Sequence, residues 1–161
     1  MERSVMRVGI GFDMHPLMRG RKLILGGVAV PFSLGLEGHS DGDALVHSVC
    51  DALLGACALG DIGRHFPSTR EYKGISSLVL LGKVRKMLSR KKYRAGNIDA
   101  TVIAESPRLS PFLAQMRKNI SGVLGIKISA VSVKSTTAKK LGSIGRGRAI
   151  ACIAVAAVKL K

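Results

Sequence analysis

Apolar and polar positions alternate loosely through residues 5–17 (V-M-R-V-G-I-G-F-D-M-H-P-L), a period that predicts a strand ending at Pro16. Residues 22–31 (K-L-I-L-G-G-V-A-V-P) read as two short strands joined at Gly26-Gly27, a hairpin signal. After a polar, glycine-bearing loop, Leu45, Val49, Ala52, Leu53 and Ala56 recur at helical spacing. They predict a helix to about Leu59, opened by Ser40 with Asp43 three residues on, a pattern resembling a capping box. Residues 61–69 are expected to form a loop or short turn, and residues 76–91 a basic amphipathic helix. A strand over 97–105, a helix over 111–124 and a strand over 130–136 follow. A Gly/Lys/Arg loop then spans 139–148. Periodicity leaves residues 149–160 open between strand and buried helix, and Ile, Val and the preceding glycine loop favour strand.

This alternation predicts an α/β or α+β architecture, and 161 residues suit one domain spanning 1–161. No repeat or low-complexity segment interrupts it. With 47% apolar residues, no tryptophan and 4% aromatics, the core is expected to be aliphatic. The three cysteines, Cys50, Cys57 and Cys152, show no C-x-x-C spacing. Cys50 and Cys57 are seven positions apart on a predicted helix, about 10 Å of rise, too far for a disulfide. A reducing, cytoplasmic setting is the expectation. No signal peptide is recognised, and the apolar run 149–158 is half what a bilayer span requires.

The formal net charge is +16, which points to polyanionic partners. The position of the few acids is more informative. Six of the ten fall between Asp13 and Asp61, beside histidines, and none follows Glu105. Asp13 and His15 are one residue apart on a strand, so they share a face. His47 lies one helical turn after Asp43 and one turn before Asp51. Asp13, His15 and His47 would make a three-ligand zinc site with one open position for a phosphate oxygen. Asp43 or Asp51 would then orient His47 from behind. A second constellation, residues 133–148 (V-K-S-T-T-A-K-K-L-G-S-I-G-R-G-R), gathers hydroxyls, amides beside glycine, and cations such as Lys139 and Arg146, as a diphosphate pocket needs. His65 shows no partner in the sequence and is expected at the surface.

These motifs, in this order, resemble the 2-C-methyl-D-erythritol 2,4-cyclodiphosphate synthase family from end to end. The matching stretches are R-V-G-I-G-F-D-M-H (7–15), G-H-S-D-G-D-A-L-V-H (38–47) and D-A-L-L-G-A-C-A-L-G-D-I-G-R-H-F-P (51–67). The A-E-S-P-R-L region, K-S-T-T-A-K-K-L-G (134–142) and G-R-G (145–147) complete them. The resemblance implies a mixed sheet of four to five strands with helices packed on one face, and a homotrimer with its sheets around a central channel. The implied substrate is the cytidine diphosphate derivative of methylerythritol 2-phosphate, closed to a cyclic diphosphate with release of CMP.

Asp13, His15 and His47 match the family's zinc ligands, and His39 and Thr137 its transition-state stabilisers. Ser40, Asp61, Gly63 and the 66–70 segment, with Phe66 and Ser68, match the part that holds methylerythritol phosphate. Residues 104–109, including Ala104, Pro107, Arg108 and Leu109, match the cytidine and phosphate pocket together with Thr136.

This chain also departs from the family pattern. The usual T-T-T-E-K-L-G carries a Glu that binds magnesium or manganese between the phosphates, and Lys139 stands there instead. An ammonium cannot ligate a metal, but it can neutralise phosphate as a point charge. Ser68 replaces the Asp of F-P-D, and Ser143 and Arg148 replace the aromatic and the acid of the channel-facing motif. A runner-up reading is a catalytically impaired homologue that binds anions or nucleotides. Nucleic acid is not expected: aromatics for stacking are few and no groove-reading motif is present.

Overall fold

Strand β1 occupies Met6–Met18 and alternates as its sequence requires. Gly9, Gly11, Asp13 and His15 face the helices, whereas Val8, Ile10, Phe12 and Met14 face outward and are 64%, 70%, 57% and 51% exposed. The computed structural model describes residues 6–161; Val5, where the sequence places the start of this strand, lies outside them. Pro16 does not end β1. It lacks only the donor, and its carbonyl still accepts from the Glu37 amide at 2.9 Å as the strand continues to pair with β4 (Gly35–Leu36).

The five-stranded sheet has the order β4-β1-β7-β5-β6. The last strand of the chain, β7 (Ala149–Leu160), lies in the centre, antiparallel to β1 and to β5 (Tyr93–Ile103). Among the described strands only β5 and β6 (Val131–Thr136) run parallel. The sheet is therefore mixed, and residues 149–160 are strand. β5 starts earlier than its apolar run, at Tyr93, and accommodates the extra residue by a register shift between Ala95 and Asn97. β2 (Leu23–Leu25) and β3 (Val28–Val30) form a separate hairpin whose two turn residues, Gly26 and Gly27, have φ of 57° and 71°. Positive φ at both turn positions is what glycine tolerates and what matches the twist of the flanking strands.

Helix α1 (Ala44–Ala56) is buried along almost its whole length, between β1 and β7 below and α3 (Ser77–Arg90) above. It lies so close to β1 that a Cβ at Gly11 would stand 1.9 Å from the Ser48 carbonyl oxygen, and one at Gly9 2.0 Å from that of Ala52. α3 and α4 (Leu113–Leu124) cover β5 and β6, with Leu81, Val84, Met116 and Ile120 fully buried against an aliphatic core. The helices all lie on one face, which makes a single α+β domain.

Several boundaries differ from the pattern-based expectation. α1 begins after Asp43, not at Ser40, because the Asp43 side chain accepts from the Val46 amide, and it closes at Ala56 rather than Leu59. The segment expected as a loop holds a one-turn helix, α2 (Ile62–His65), followed by a 3₁₀ turn at Arg70–Tyr72. A 3₁₀ turn at Ser110–Phe112 precedes α4, and the basic loop contains another single turn, α5 (Gly142–Gly145). None of these short turns has a period long enough to register in an apolar pattern. No described helix is long and apolar enough to cross a membrane.

Candidate metal centre and active site

The close contact of α1 with Gly9 and Gly11 carries His47 to the strand residues Asp13 and His15. Asp13 Oδ2 lies 2.7 Å from His15 Nε2 and 3.0 Å from His47 Nδ1, and the two imidazole rings are 5.5 Å apart between centroids. One donor atom from each of the three residues falls within 4.8 Å of the others. His47 is buried, and the other two are partly so.

Hydrogen-bond counting around His47 fixes its tautomer. The Ser77 hydroxyl has one proton, which it gives to Asp41 Oδ1 in a short hydrogen bond. Its contact with His47 Nε2 at 2.8 Å must therefore be N–H donating to Oγ. The Ser40 hydroxyl lies 3.1 Å from the same nitrogen. In a neutral imidazole the lone pair then sits on Nδ1 and faces Asp13. The Glu37 carbonyl similarly engages the His15 ring. Lone pairs of two imidazoles and one carboxylate thus converge, an arrangement that either protons or a cation must neutralise. Two nitrogens and one oxygen with an open fourth direction fit a divalent transition metal.

Burial by itself would raise the Asp13 carboxyl. When those of His15 and His47 are protonated, hydrogen bonds from the two rings, and their charge, outweigh it and lower the group to about 2. His15 is raised above the ordinary imidazole value, chiefly by its hydrogen bond to Asp13 and against the opposing effect of burial.

The expected role of Asp43 and Asp51 is corrected. Asp43 is fully buried, and its oxygens accept from the amides of Gly26 (2.9 Å), Gly27 (2.7 Å) and Val46 (3.0 Å), tying the β2–β3 turn to the start of α1. Burial raises its carboxyl to about 6. Asp51 accepts from the Ile62 amide at 2.8 Å and so holds α2. Neither carboxylate is hydrogen-bonded to the His47 ring: helical amides and the turn's N–H groups have claimed their oxygens. Ser77, Asp41 and Ser40 orient His47 instead. Asp41 also accepts from the Ser77 amide at 2.9 Å and thereby caps α3, whose own Ser76 makes no capping bond. Sequence reading missed Ser77 and this use of Asp41. A serine thirty positions from its partner leaves no spacing signal. His65 is likewise corrected: it is half-buried, with Nε2 2.7 Å from the Leu59 carbonyl oxygen.

A cavity of about 210 Å³ opens over the three ligands and is lined also by His39, Ser40, Gly63, Phe66 and Ser68. Ile62, Tyr72, Ile75 and Leu80 complete its wall. His39 is exposed, its Nε2 2.6 Å from the Thr69 carbonyl oxygen. Asp61 lies just outside, capping α2 through the Arg64 amide at 3.0 Å. A separate cavity of about 530 Å³ is lined by Ala104, Pro107, Arg108, Leu109, Thr136 and Thr137. The Ser106–Pro107 peptide bond there is cis. Thr137 Oγ1 accepts from the Lys139 amide at 3.3 Å. Lys139 (φ 53°) and Arg146 are exposed and line neither cavity. Within one chain, the residues expected to act together are thus divided between two pockets.

The YgbB family model matches residues 6–159, nearly the whole chain. This chain belongs to the YgbB family. Among its relatives is the 2-C-methyl-D-erythritol 2,4-cyclodiphosphate synthase of Alkaliphilus metalliredigens, 57% identical over 154 residues, 95% of this chain and 97% of the relative. The synthase of Chlorobium phaeobacteroides is 52% identical over 97% of this chain and 99% of its own length. An IspF CDP complex from Plasmodium falciparum superposes with a TM-score of 0.86 at 37% identity, covering 99% of both chains. The bifunctional IspDF of Campylobacter jejuni gives 0.95 at 38% identity over 99% of this chain, which spans 43% of that longer protein. The YgbB fold seen in these structures is the mixed five-stranded sheet described above.

Proposed function

We propose that this YgbB chain converts 4-diphosphocytidyl-2-C-methyl-D-erythritol 2-phosphate into 2-C-methyl-D-erythritol 2,4-cyclodiphosphate and CMP, a cyclising lyase step of isoprenoid biosynthesis. The observation that carries the reading is the convergence of Asp13, His15 and His47 under a pocket that also holds His39, Ser40 and Ser68, in a chain 57% identical to a protein named for that synthesis. An oxygen of the 2-phosphate attacks the β-phosphorus. The bond from that phosphorus to the bridging oxygen breaks, and CMP leaves with its electron pair. Both partners belong to one substrate, so orientation and charge neutralisation account for most of the acceleration.

Asp13, His15 and His47 would hold Zn²⁺, which when bound polarises a phosphate oxygen as a Lewis acid. His39 and Thr137 donate to the phosphates as charge develops. Ser40, Gly63, Phe66 and Ser68 seat the methylerythritol phosphate, with Asp61 setting the α2 turn beside them. Ala104, Pro107, Arg108, Leu109 and Thr136 take the cytidine and its phosphate. Lys139 and Arg146 supply positive charge, and Lys139 in place of a carboxylate removes a ligand for a separate Mg²⁺ or Mn²⁺ ion.

The assembly we propose is a homotrimer. The exposed row Val8, Ile10, Phe12 and Met14, with Ile153 and Val155 of β7, is too apolar for a solvated sheet face, and burying it against other copies supports this. The same packing would bring the cytidine pocket of one copy to the metal pocket of the next. The cytoplasm fits three buried, unpaired cysteines.

Phosphorus NMR of the zinc-loaded protein with the cytidylyl substrate, with and without magnesium, tests the reading. A cyclic diphosphate appearing with CMP is the expected result, and equal turnover in both tubes would follow from Lys139. A folded, zinc-loaded protein that turns nothing over would leave the anion-binding reading in its place.

A further inference from the structure

A further cavity lies away from the metal pocket, between α3, the end of α4 and the start of β5. It holds about 700 Å³, within the range of sites that enclose small organic ligands. Its apolar lining is Val79, Val123 and Ile126, half-buried or exposed, backed by the buried Leu88, Ala95 and Leu124. Its rim is cationic, and among the described residues no acidic side chain lines it.

The rim cations differ in how they are engaged. Arg85 donates to the Val123 carbonyl at 2.9 Å and lies over Gly125 at the negative end of α4, so part of its charge is met by the helix. Lys83 lies 5.0 Å from the Tyr72 ring centroid, and Lys161 is hydrogen-bonded to Ser89. Lys86 and Arg94 have neither a hydrogen bond nor a carboxylate within ion-pair distance among the described residues. Like charges gathered around an apolar hollow repel one another, and an anion is the partner that would relieve them. An apolar floor under a cationic rim matches a molecule with both characters.

We propose that this groove binds a small phosphorylated amphiphile, its apolar chain on Val79, Val123 and Ile126 and its phosphate on Lys86 and Arg94. The size and concavity fit one small molecule between two helices rather than a flat macromolecular interface. The site is independent of the metal pocket and does not rest on the reaction assigned there.

Calorimetric titration of the full chain with decyl phosphate, kept below its micelle concentration, tests this against inorganic phosphate and decanol. Decyl phosphate should bind at least tenfold more tightly than either. The double variant Lys86→Glu/Arg94→Glu should weaken it at least tenfold. So should Gly82→Leu, since a Cβ there meets only Val123 Cγ1, at 3.8 Å, and a longer side chain would enter the groove. Circular dichroism and melting temperature establish that each variant is folded. Equal affinity for decyl phosphate and inorganic phosphate would overturn the site in favour of diffuse surface charge. Undiminished binding by folded variants would place the ligand elsewhere and overturn it as well.

Discussion

Ser77 Oγ lies 2.8 Å from His47 Nε2 while giving its only proton to Asp41, so it fixes which nitrogen of His47 faces Asp13. The serine is fully buried. It sets the direction of a lone pair. Replacing Ser77 by Ala should weaken divalent metal binding about tenfold or more, the effect usual for groups behind a metal-bound imidazole. Competition with a chromophoric chelator measures it, and unchanged affinity in a folded variant would show that Ser40 alone suffices.

The separation of α1 from β1 is set by two glycines. Adding a Cβ at Gly11, 1.9 Å from the Ser48 carbonyl oxygen, must push the helix outward and carry His47 with it. Gly11→Ala is expected to cost about 1–3 kcal/mol or more, as overpacking does, and to lower metal affinity together with the melting temperature. A variant that melts lower but binds metal normally would mean that the helix tilts about a point near His47.

Protons and metal compete for the same three atoms. The raised His15 pKa means that the metal-free protein holds its proton to higher pH than an ordinary imidazole. Metal affinity should therefore fall as pH drops through and below that range, and metal uptake near neutral pH should release protons. Titration in two buffers of different ionisation enthalpy counts them. In the metal-free protein Asp13 adds a stability contribution of its own. With its carboxyl lowered to about 2, the stability it contributes is complete above the usual carboxylate range and is lost as pH falls towards 2.

Asp43 shows the reverse case. Burial raises its carboxyl to about 6, so the native state holds a proton that the unfolded chain releases near 4. Its contribution to stability is greatest below that window and declines as pH rises through it. Asp43→Asn should flatten that part of the pH profile. It should also cost about 1–3 kcal/mol, because the Asn amide would face the Gly27 N–H donor to donor. Urea unfolding at several pH values between 3 and 7 resolves both effects (about one unit either side of the titration window). An unchanged slope would show that Asp43 is not the group responsible.

The sequence was informative wherever one element carried the signal alone. The shared face of Asp13 and His15, the helix that bears His47, the Gly26-Gly27 hairpin and the β character of residues 149–160 all follow from local periodicity and turn chemistry. The family motifs extended that reading to residues such as His39 and Thr137, for which spacing alone offers no argument.

What only the tertiary structure decided involves partners distant in the chain. Asp43 and Asp51 stand at helical spacing from His47, yet their oxygens are taken by the amides of Gly26, Gly27, Val46 and Ile62, and Ser77 with Asp41 holds the imidazole instead. The groove rimmed by Lys86 and Arg94 is equally invisible in sequence, because α3, α4 and β5 each supply one wall. A side chain's type and period are local properties. The hydrogen-bond partner it finds depends on which backbone donors the fold brings within about 3 Å, and no local pattern encodes that distance.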